Sequence, residues 1–339
     1  MTKSVMVKNV QIGGGAPITI QSMTDTLTSN FDATLARIFE LNEVGCDLVR
    51  VSVPDESSVK SLNRLVKESP IPIIADIHYD YRLALKSLEA GVHKLRVNPG
   101  NLKKEGIKEV AKLASALNVP IRVGVNKGSQ GERLTPSELA QLCLDTAHLM
   151  EDAGTDKLVL AVKSSSVIET VSAYRELKKL CDYPLHVGLT EAGTERLGIT
   201  KSSIAIGSLL LDGIGDTIRV SLTANPVKEV IEGRKILRAV GLDKNFVEII
   251  ACPTCARTCI QVEKYAKELE ELTKNCKKPL KIAVMGCTVN GIGESKGADF
   301  GVCGGKEKSV IIQNGITVKT VRNEDILKEL IGMAESYND

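Results

Sequence analysis

The repeated alternation of short apolar runs with amphipathic stretches between Ile18 and Leu222 constrains the fold of this chain more than any other feature. The apolar runs have the length of strands, and the stretches between them have the period of amphipathic helices. Gly45, Gly91 and Gly154 each stand where a predicted helix ends just before a strand, the usual place for a helix-terminating glycine. The eight predicted strands are Ile18–Met23, Leu48–Val53, Ile71–Ile77, Lys94–Asn98, Ile121–Asn126, Lys157–Lys163, Leu185–Thr190 and Thr217–Leu222.

This alternation predicts an α/β fold with a parallel sheet. Valine-rich strands joined by helical crossovers are typical of sheets that are buried on both faces. Eight such units fit a (β/α)8 TIM barrel, and we assign this barrel to residues 1–242. An open doubly wound sheet is the alternative arrangement. In a barrel, the functional residues are expected at the carboxyl ends of the strands.

A second, smaller domain is predicted after the barrel. The alternating pattern ends near Gly241, and Asp243–Asn245 has the composition of a linker. The pattern of apolar and polar residues in 246–339 predicts a small α+β domain, with a hairpin turn at Asn314-Gly315. Its predicted strands are Val247–Ala251, Lys281–Met285, Val310–Gln313 and Ile316–Val321, and its predicted helices are Ile260–Leu272 and Glu324–Glu335.

The composition narrows the functional class. The chain has 44 basic and 42 acidic residues, a balance that argues against a general nucleic-acid footprint. Aromatic residues are 3 % of the chain and tryptophan is absent, so stacking platforms for single strands are not expected. The first residues contain no apolar signal region, and we expect a soluble cytoplasmic protein. In that compartment, the nine cysteines are expected to be thiols or metal ligands rather than disulfides.

The predicted strand ends carry more cations than acids. Cationic side chains within apolar parallel strands are costly unless they are paired or bound to a ligand. A buried Arg–Asp pair would explain any one of them, but the excess predicts an anionic ligand, and phosphate best matches the forked guanidinium donors. The candidate residues are Arg50, Asp76, Arg96, Asn98, Arg122, Asn126, Lys163, His186, Glu191 and Arg219.

Six of the nine cysteines lie between positions 252 and 303. Cys252 and Cys255 directly follow one predicted strand, and Cys287 follows another, so the three thiols can converge on one centre. Soft thiolates select zinc or an iron–sulfur cluster. A zinc site remains open, because Cys259, Cys276 or Cys303 would complete it. The isolated Cys46, Cys143 and Cys181 are expected to be buried or incidental thiols.

The fourth ligand of such a centre is not decided by spacing. Cys259 is the nearest spare thiol, and on a helix it would share the face of Cys255, four residues earlier. A centre that binds a substrate oxygen instead needs one ligand that leaves readily, and a carboxylate exchanges more easily than a thiolate. Glu294 offers this carboxylate, provided that Asn290–Gly293 turns back tightly after Cys287.

Several segments of the chain resemble one known family. Cys252–Thr258 and Cys287–Glu294 are similar to the cluster motifs of the 4-hydroxy-3-methylbut-2-enyl diphosphate synthase family, with Ala256 and Ile292 standing where the family usually has Gly and Pro. The resemblance runs from about Ser22 to Phe300. Four further segments share it, namely Ala75–His78, Leu95–Asn101, His186–Gly193 and Gly213–Leu222.

The resemblance implies an iron–sulfur oxidoreductase of the non-mevalonate isoprenoid pathway. Its substrate would be 2-C-methyl-D-erythritol 2,4-cyclodiphosphate, opened and dehydrated with two electrons from a flavodoxin or a ferredoxin. The implied cofactor is a [4Fe–4S] cluster, which would serve as Lewis acid and electron source. The resemblance decides the fourth ligand in favour of Glu294, so that the expected ligands are Cys252, Cys255, Cys287 and Glu294.

The resemblance also implies roles and an assembly. Glu191 is expected to handle a proton or contact a substrate hydroxyl. Lys201 is a candidate diphosphate contact only because Lys201–Gly207 resembles a segment of the family. The short linker after the eighth helix, together with the resemblance, predicts a homodimer in which the cluster of one subunit serves the barrel of the other. Two rival functions are a pterin-type barrel transferase with a zinc-stabilised appendage and an electron-carrier or cluster-scaffold protein. The expected diphosphate contacts are Arg50, Arg96, Arg122, Lys201 and Arg219.

Overall fold

The computed structural model describes residues 1–129 and 134–337. The chain divides into two compact units, of which the first is Met1–Leu242 and the second starts at Asp243. Among the described residues, no helix is both long and apolar enough to cross a membrane.

Parallel strands form the centre of the first unit, and the predicted TIM barrel is confirmed. Within the described part of the chain, eight strands hydrogen-bond side by side in the order β8-β7-β6-β5-β4-β3-β10-β9. A parallel bridge between Leu160 and Leu185 joins the two ends of this order and nearly closes the barrel. The strands are β3 (Thr19–Met23), β4 (Leu48–Val53), β5 (Ile73–Ile77), β6 (Lys94–Val97), β7 (Ile121–Asn126), β8 (Leu158–Lys163), β9 (His186–Val187) and β10 (Thr217–Ile218).

Helices alternate with these strands and cover the outer face of the barrel. Thr135 and Glu138 cap the fifth of them reciprocally, and Gly45, Gly91 and Gly154 have the positive φ expected of helix-terminating glycines. The helices are α1 (Phe31–Glu43), α2 (Glu56–Glu68), α3 (Tyr81–Glu89), α4 (Lys104–Ala116), α5 (Pro136–Glu151), α6 (Val167–Leu180), α7 (Glu195–Leu211) and α8 (Pro226–Ala239).

A short hairpin that the sequence pattern did not predict precedes the barrel. Its strands β1 (Ser4–Val7) and β2 (Val10–Gly13) pair antiparallel. Their apolar side chains pack against residues at the amino ends of the barrel strands, namely Leu48, Ile74 and Val159. The hairpin therefore closes the end of the barrel opposite to the strand ends that carry the candidate residues.

The second unit is built on a mixed sheet. In its described residues, β11, β12 and β13 run parallel, and β14 and β15 continue the sheet antiparallel. The strands are β11 (Val247–Ala251), β12 (Leu280–Met285), β13 (Phe300–Cys303), β14 (Lys308–Gln313) and β15 (Ile316–Arg322), and the helices are α9 (Val262–Thr273), α10 (Thr288–Glu294) and α11 (Ile326–Ser336).

Two elements of this unit differ from the sequence-based expectation. The tight turn expected over Asn290–Gly293 is wrong, because these residues lie in α10, and β13 was not predicted at all. Tertiary packing outweighs the low helix propensity of glycine here. A Cβ at Gly291 would lie 2.8 Å from the Cβ of Met285 and 2.9 Å from the Sγ of Cys303, so glycine lets α10 pack directly on the sheet.

Candidate functional site

The carboxyl ends of the barrel strands surround a polar cavity of about 640 Å³. Val49, Val51 and Val53 pack outward against the helices, so the alternating Arg50 points into the barrel. The same alternation turns most of the predicted strand-end residues inward. The cavity is lined by Met23, Arg50, Asp76, His78, Tyr79, Arg96, Asn98, Gly100, Arg122, Asn126, Lys163, Leu189, Thr190, Arg219 and Ser221.

Asp76 is the central acid of this cavity. Its Oδ1 accepts a hydrogen bond from Arg96 Nη1 at 3.1 Å, and its Oδ2 lies 3.3 Å from Arg50 Nε. His78 Nε2 stands 3.6 Å from the same oxygen. Burial alone would raise the pKa of Asp76, but Arg50, His78 and Arg96 more than offset it and hold that pKa well below its usual range. The carboxylate therefore stays ionised and fixes two guanidinium groups at the mouth.

A second acid that the sequence did not point to holds Arg219. Glu229 of α8 is buried, and its two oxygens lie 3.2 and 3.4 Å from Nε and Nη2 of Arg219. Glu229 also accepts hydrogen bonds from Ser22 Oγ and from the backbone N–H of Leu222, both at 3.0 Å. A fork of this kind aims Arg219 into the cavity.

Two further cations of the cavity have no acid partner among the described residues. Nε and Nη1 of Arg122 are buried without a hydrogen-bond partner, and Lys163 forms no ion pair in the described residues. Burial, followed by the neighbouring cations, lowers the pKa of both side chains well below its usual value. A Cβ on Gly188 would lie 3.0 Å from Lys163 Nζ, so glycine leaves room for this amine. The mouth thus holds uncompensated positive charge that suits a polyanion.

Three predicted residues do not line the cavity. His186 is fully buried in β9, and both of its ring nitrogens lack a partner in the described part of the chain. Lys201 lies in the second turn of α7. Glu191 follows the cavity residue Thr190 in an exposed loop and has a left-handed backbone, with φ 52°. A left-handed non-glycine residue is strained, which marks Glu191 as a functional candidate.

Several cavity residues were missed by sequence reasoning. Tyr79 is 79 % exposed at the mouth and has φ 44°, and the signal for it was its position one residue after a strand-end histidine. Ser221 and Thr190 carry neutral hydroxyls, for which composition offers no signal.

In the second unit, three cysteines lie at one edge of the sheet. β11 and β12 are parallel neighbours, and Ala251 pairs with Val284, so Cys252 and Cys287 follow adjacent strand ends. The backbone N–H of Gly286 donates a hydrogen bond to Cys252 Sγ at 3.1 Å. Hydrogen bonds from the backbone and side chain of Arg257, and from Thr258, lower the pKa of Cys255. Such donors favour thiolates, the form that binds metals.

The fourth-ligand candidates occupy different positions. Glu294 is exposed and ends α10, and Cys287 is the residue that directly precedes this helix. Burial raises the pKa of Cys303 to about 11; a side-chain hydrogen bond with Ser295 opposes that rise, and the charges of Cys287, Cys252 and Glu294 add to it. Cys276 follows α9, before β12 begins, and therefore lies at the opposite edge of the sheet.

Cys259 is not the helix thiol that we expected. It is exposed in the turn before α9, and its Sγ donates to the backbone carbonyl of Arg257 at 3.4 Å. Cys46 and Cys143 are buried as predicted, and burial raises the pKa of each to about 12, whereas Cys181 is half-buried. Burial therefore disfavours the thiolate form of Cys46 and Cys143.

The thiol edge is not prearranged around a single metal ion in the described residues. Among the described residues, no three His, Cys, Asp or Glu side chains converge closely enough to hold one metal ion. A structural zinc ion would need its ligands at about 2.0–2.3 Å from one point. A cluster of several irons spreads its thiolate ligands over a larger volume. The donor set of three soft thiols and one carboxylate suits such a cluster.

Two models of known protein families match this chain, one over the first unit and one over the second. Residues 2–234 match the GcpE TIM-barrel domain, and residues 248–336 match the GcpE protein C-terminal domain. The chain is 48 % identical to a 4-hydroxy-3-methylbut-2-en-1-yl diphosphate synthase (flavodoxin) of Caldanaerobacter subterraneus subsp. tengcongensis, covering 98 % of this chain and 96 % of that protein. The synthase of Thermotoga maritima is also 48 % identical, over 97 % of this chain and 96 % of its own length.

Solved structures share the barrel fold at low identity. A dihydropteroate synthase of Xanthomonas albilineans has a TM-score of 0.52 at 17 % identity, covering 71 % of this chain and 98 % of that one. The enzyme of Yersinia pestis has a TM-score of 0.53 at 15 % identity, covering 70 % of this chain and 98 % of its own. At this identity the likeness concerns the fold alone.

Proposed function

This chain belongs to the GcpE family, and from that premise we propose that it catalyses the reductive ring opening and dehydration of 2-C-methyl-D-erythritol 2,4-cyclodiphosphate to 4-hydroxy-3-methylbut-2-enyl diphosphate. The observation that carries the proposal is the pairing of features in one chain. A barrel mouth with uncompensated cations accompanies an edge of three thiols, of which Cys255 has a lowered pKa. Neither a pterin transferase nor an electron carrier accounts for both features.

The barrel residues would bind and orient the diphosphate. Asp76 and Glu229 fix Arg50, Arg96 and Arg219, so these guanidinium groups need little reordering when a ligand arrives. The diphosphate would supply the negative charge that the described residues do not place next to Arg122 and Lys163. Each hydrogen bond to a charged group contributes on the order of 1.5–3 kcal/mol.

The second unit would hold an iron–sulfur cluster of the [4Fe–4S] type. Cys252, Cys255 and Cys287 would be its thiolate ligands, and the exposed Glu294 its carboxylate ligand. When bound, the cluster supplies single electrons and Lewis acidity that side chains cannot provide. Glu294 would yield its position readily, because a carboxylate exchanges more easily than a thiolate. In the barrel unit, Glu191 would hold a proton or a substrate hydroxyl.

The electron donor would be a flavodoxin, which the names of the similar synthases specify. A ferredoxin is the other carrier of suitable chemistry. We also infer a homodimer, supported by an apolar stripe on α7. Leu197, Ile204 and Leu211 are 56, 53 and 74 % exposed and recur every seven residues, so they lie on one helical face. Such a stripe fits a second copy of the same helix.

The dimer is tested by charge insertion into the stripe. Ile204→Lys should shift sedimentation from dimer to monomer. Ile168→Lys is the matched control, because Ile168 is 79 % exposed but lies on α6, outside the stripe. Dissociation by both variants or by neither would remove α7 from the interface.

Anaerobic purification followed by substrate titration tests the function. We expect a brown protein that contains iron and sulfide, shows the broad absorbance of thiolate-bound iron, and binds the cyclodiphosphate. A colourless zinc protein would overturn the proposal. A brown protein that is indifferent to the cyclodiphosphate would point to a carrier or scaffold.

A further inference from the structure

A buried amine lies beneath the mouth of the barrel. Lys94 is the first residue of β6 and is fully buried, and it shares the inward face of that strand with Arg96, two residues later. Its strand partner Ile74 packs against the apolar hairpin that closes the opposite end. Lys94 Nζ has no hydrogen-bond partner among the described residues, and it does not line the mouth cavity.

The groups around this amine are nearly all cations or neutral. Asp76 and Glu229 are buried acids of the barrel, and both are already engaged, Asp76 by Arg50 and Arg96 and Glu229 by Arg219. Tyr174 of α6 donates its hydroxyl to the backbone carbonyl of His186. The titratable groups that face the interior are Arg50 of β4, Asp76 of β5, Arg96 of β6, Arg122 of β7, Lys163 of β8, His186 of β9, Arg219 after β10, Glu229 of α8 and Tyr174.

An ammonium ion in this position is costly. Burial, and then the charge of Arg122, hold the pKa of Lys94 well below its ordinary value. The buried amine therefore favours its neutral form more strongly than an exposed lysine does. A dianion in the cavity above would offset the charge of Arg122, and it would also attract an ammonium ion directly. Both effects favour protonation of Lys94.

We propose that Lys94, whose amine is buried without a partner in the described residues, takes up a proton from solvent when the cyclic diphosphate fills the barrel mouth. Lys94 is then a positioning residue, which strengthens diphosphate binding from the layer below without lining the cavity. The inference rests on the proposed function, because that function supplies the dianion. By linkage, proton uptake makes the ligand bind less tightly as the pH rises, by up to about tenfold per pH unit for one proton.

Calorimetric titration in buffers of different ionisation enthalpy measures the protons taken up on binding. The oxidised holoenzyme, kept without reductant, is titrated with 2-C-methyl-D-erythritol 2,4-cyclodiphosphate. This probe keeps a constant charge, because each phosphate carries one strongly acidic group. We expect uptake of up to about one proton more in the wild type than in Lys94→Met. Lys94→Arg should also lose this uptake, since arginine stays protonated.

Each outcome decides the inference. Equal proton uptake in the wild type, Lys94→Met and Lys94→Arg would overturn it, as would the absence of uptake in the wild type, which needs no variant. Circular dichroism controls for folding, and Lys94→Gln replaces Lys94→Met if the latter does not fold. A wild-type protein that binds no cyclodiphosphate would overturn the proposed function and this inference together, whereas normal binding with unchanged proton uptake would overturn this inference alone.

Discussion

Arg96 and Arg122 lie directly opposite each other in the pairing of β6 with β7, so that two buried guanidinium groups stand side by side in the barrel. Only one of them is compensated, because Arg96 hydrogen-bonds to Asp76 while Nε and Nη1 of Arg122 have no partner in the described residues. Like charges on directly opposed strand positions are destabilising. The barrel therefore carries an electrostatic cost that a bound diphosphate would relieve.

This relationship predicts a contrast between two substitutions. Arg96→Met and Arg122→Met should each weaken cyclodiphosphate binding by on the order of 1.5–3 kcal/mol, because each removes hydrogen bonds to a charged group. Their effects on stability should differ in sign. Arg96→Met should lower the melting temperature, because it removes a partner from the buried carboxylate of Asp76, whereas Arg122→Met should raise it by removing an uncompensated cation.

Calorimetry and thermal unfolding check this contrast, and the visible spectrum is the control. Both variants should retain the spectrum of the proposed cluster, because its proposed ligands lie in the second unit. Unchanged binding in both variants would remove these arginines from the diphosphate site. A lower melting temperature for Arg122→Met would mean that this guanidinium is compensated in the empty protein.

Lys94 predicts how the stability of the barrel depends on pH. Its pKa is lowered in the folded state, while the unfolded value is about 10.4, so the unfolded state binds more protons between these two values. Lys94 therefore lowers the free energy of unfolding most at low pH, and this effect becomes smaller as the pH rises toward about 10.4. Lys94→Met should be more stable than the wild type, with a difference that shrinks by up to about 1.4 kcal/mol per pH unit.

Melting curves of both proteins between about pH 6 and 8.5 measure this difference. Lys60→Met, at an exposed position of α2, controls for the loss of a lysine and should show no such trend. A difference between Lys94→Met and the wild type that stays constant with pH would contradict a buried amine of lowered pKa.

The fourth cluster ligand is tested by a pair of substitutions. Glu294→Gln should retain much of the cluster but lose turnover, because an amide is a poorer exchangeable ligand than a carboxylate. Cys259→Ser should keep full iron content and most activity, since Cys259 lies in the turn before α9 and bonds to Arg257. Iron analysis and turnover measure both effects. The reverse pattern would indicate a cluster with four cysteine ligands.

Assembly is tested by subunit complementation. An Arg122→Met chain keeps its cluster ligands, and a Cys252→Ser chain keeps its barrel. If the cluster of one subunit serves the barrel of the other, mixed dimers should recover up to about half of the wild-type activity, because one of their two sites is intact. Mixed dimers purified with two affinity tags that show no recovery would favour a site within one chain.

Periodic features of the sequence were enough to predict the barrel. The strands β4 and β7 have the predicted bounds, because apolar runs of this length between amphipathic helical stretches have few other solutions. Strand β9 is shorter than the predicted Leu185–Thr190, since the chain leaves the ladder after Val187 and enters the loop that bears Glu191. The β1–β2 hairpin was missed, because Lys8 rather than a glycine adopts positive φ in its turn.

The features of the site that depend on tertiary contacts could not be predicted from the sequence. Inward-facing arginines could be inferred from strand alternation and from their excess over acids. The pairing of Glu229 with Arg219 depends on how α8 packs against the strands. Likewise, the burial of Lys94 depends on the hairpin that closes the barrel beneath it. Gly291 weakened the expectation of a helix at α10, although that glycine is what lets the helix pack on Cys303.

The conversion of cyclodiphosphate by the anaerobic enzyme, with electrons counted, tests the proposed function most directly. With reduced flavodoxin as donor, we expect one molecule of 4-hydroxy-3-methylbut-2-enyl diphosphate and one of water for every two electrons consumed. Cys252→Ser, which loses a proposed cluster ligand at the thiol edge, should form no product. The proposal would be contradicted if the wild-type enzyme with a full complement of iron and sulfide left the cyclodiphosphate unconverted. It would also be contradicted if a zinc-loaded or cluster-free protein turned over the substrate.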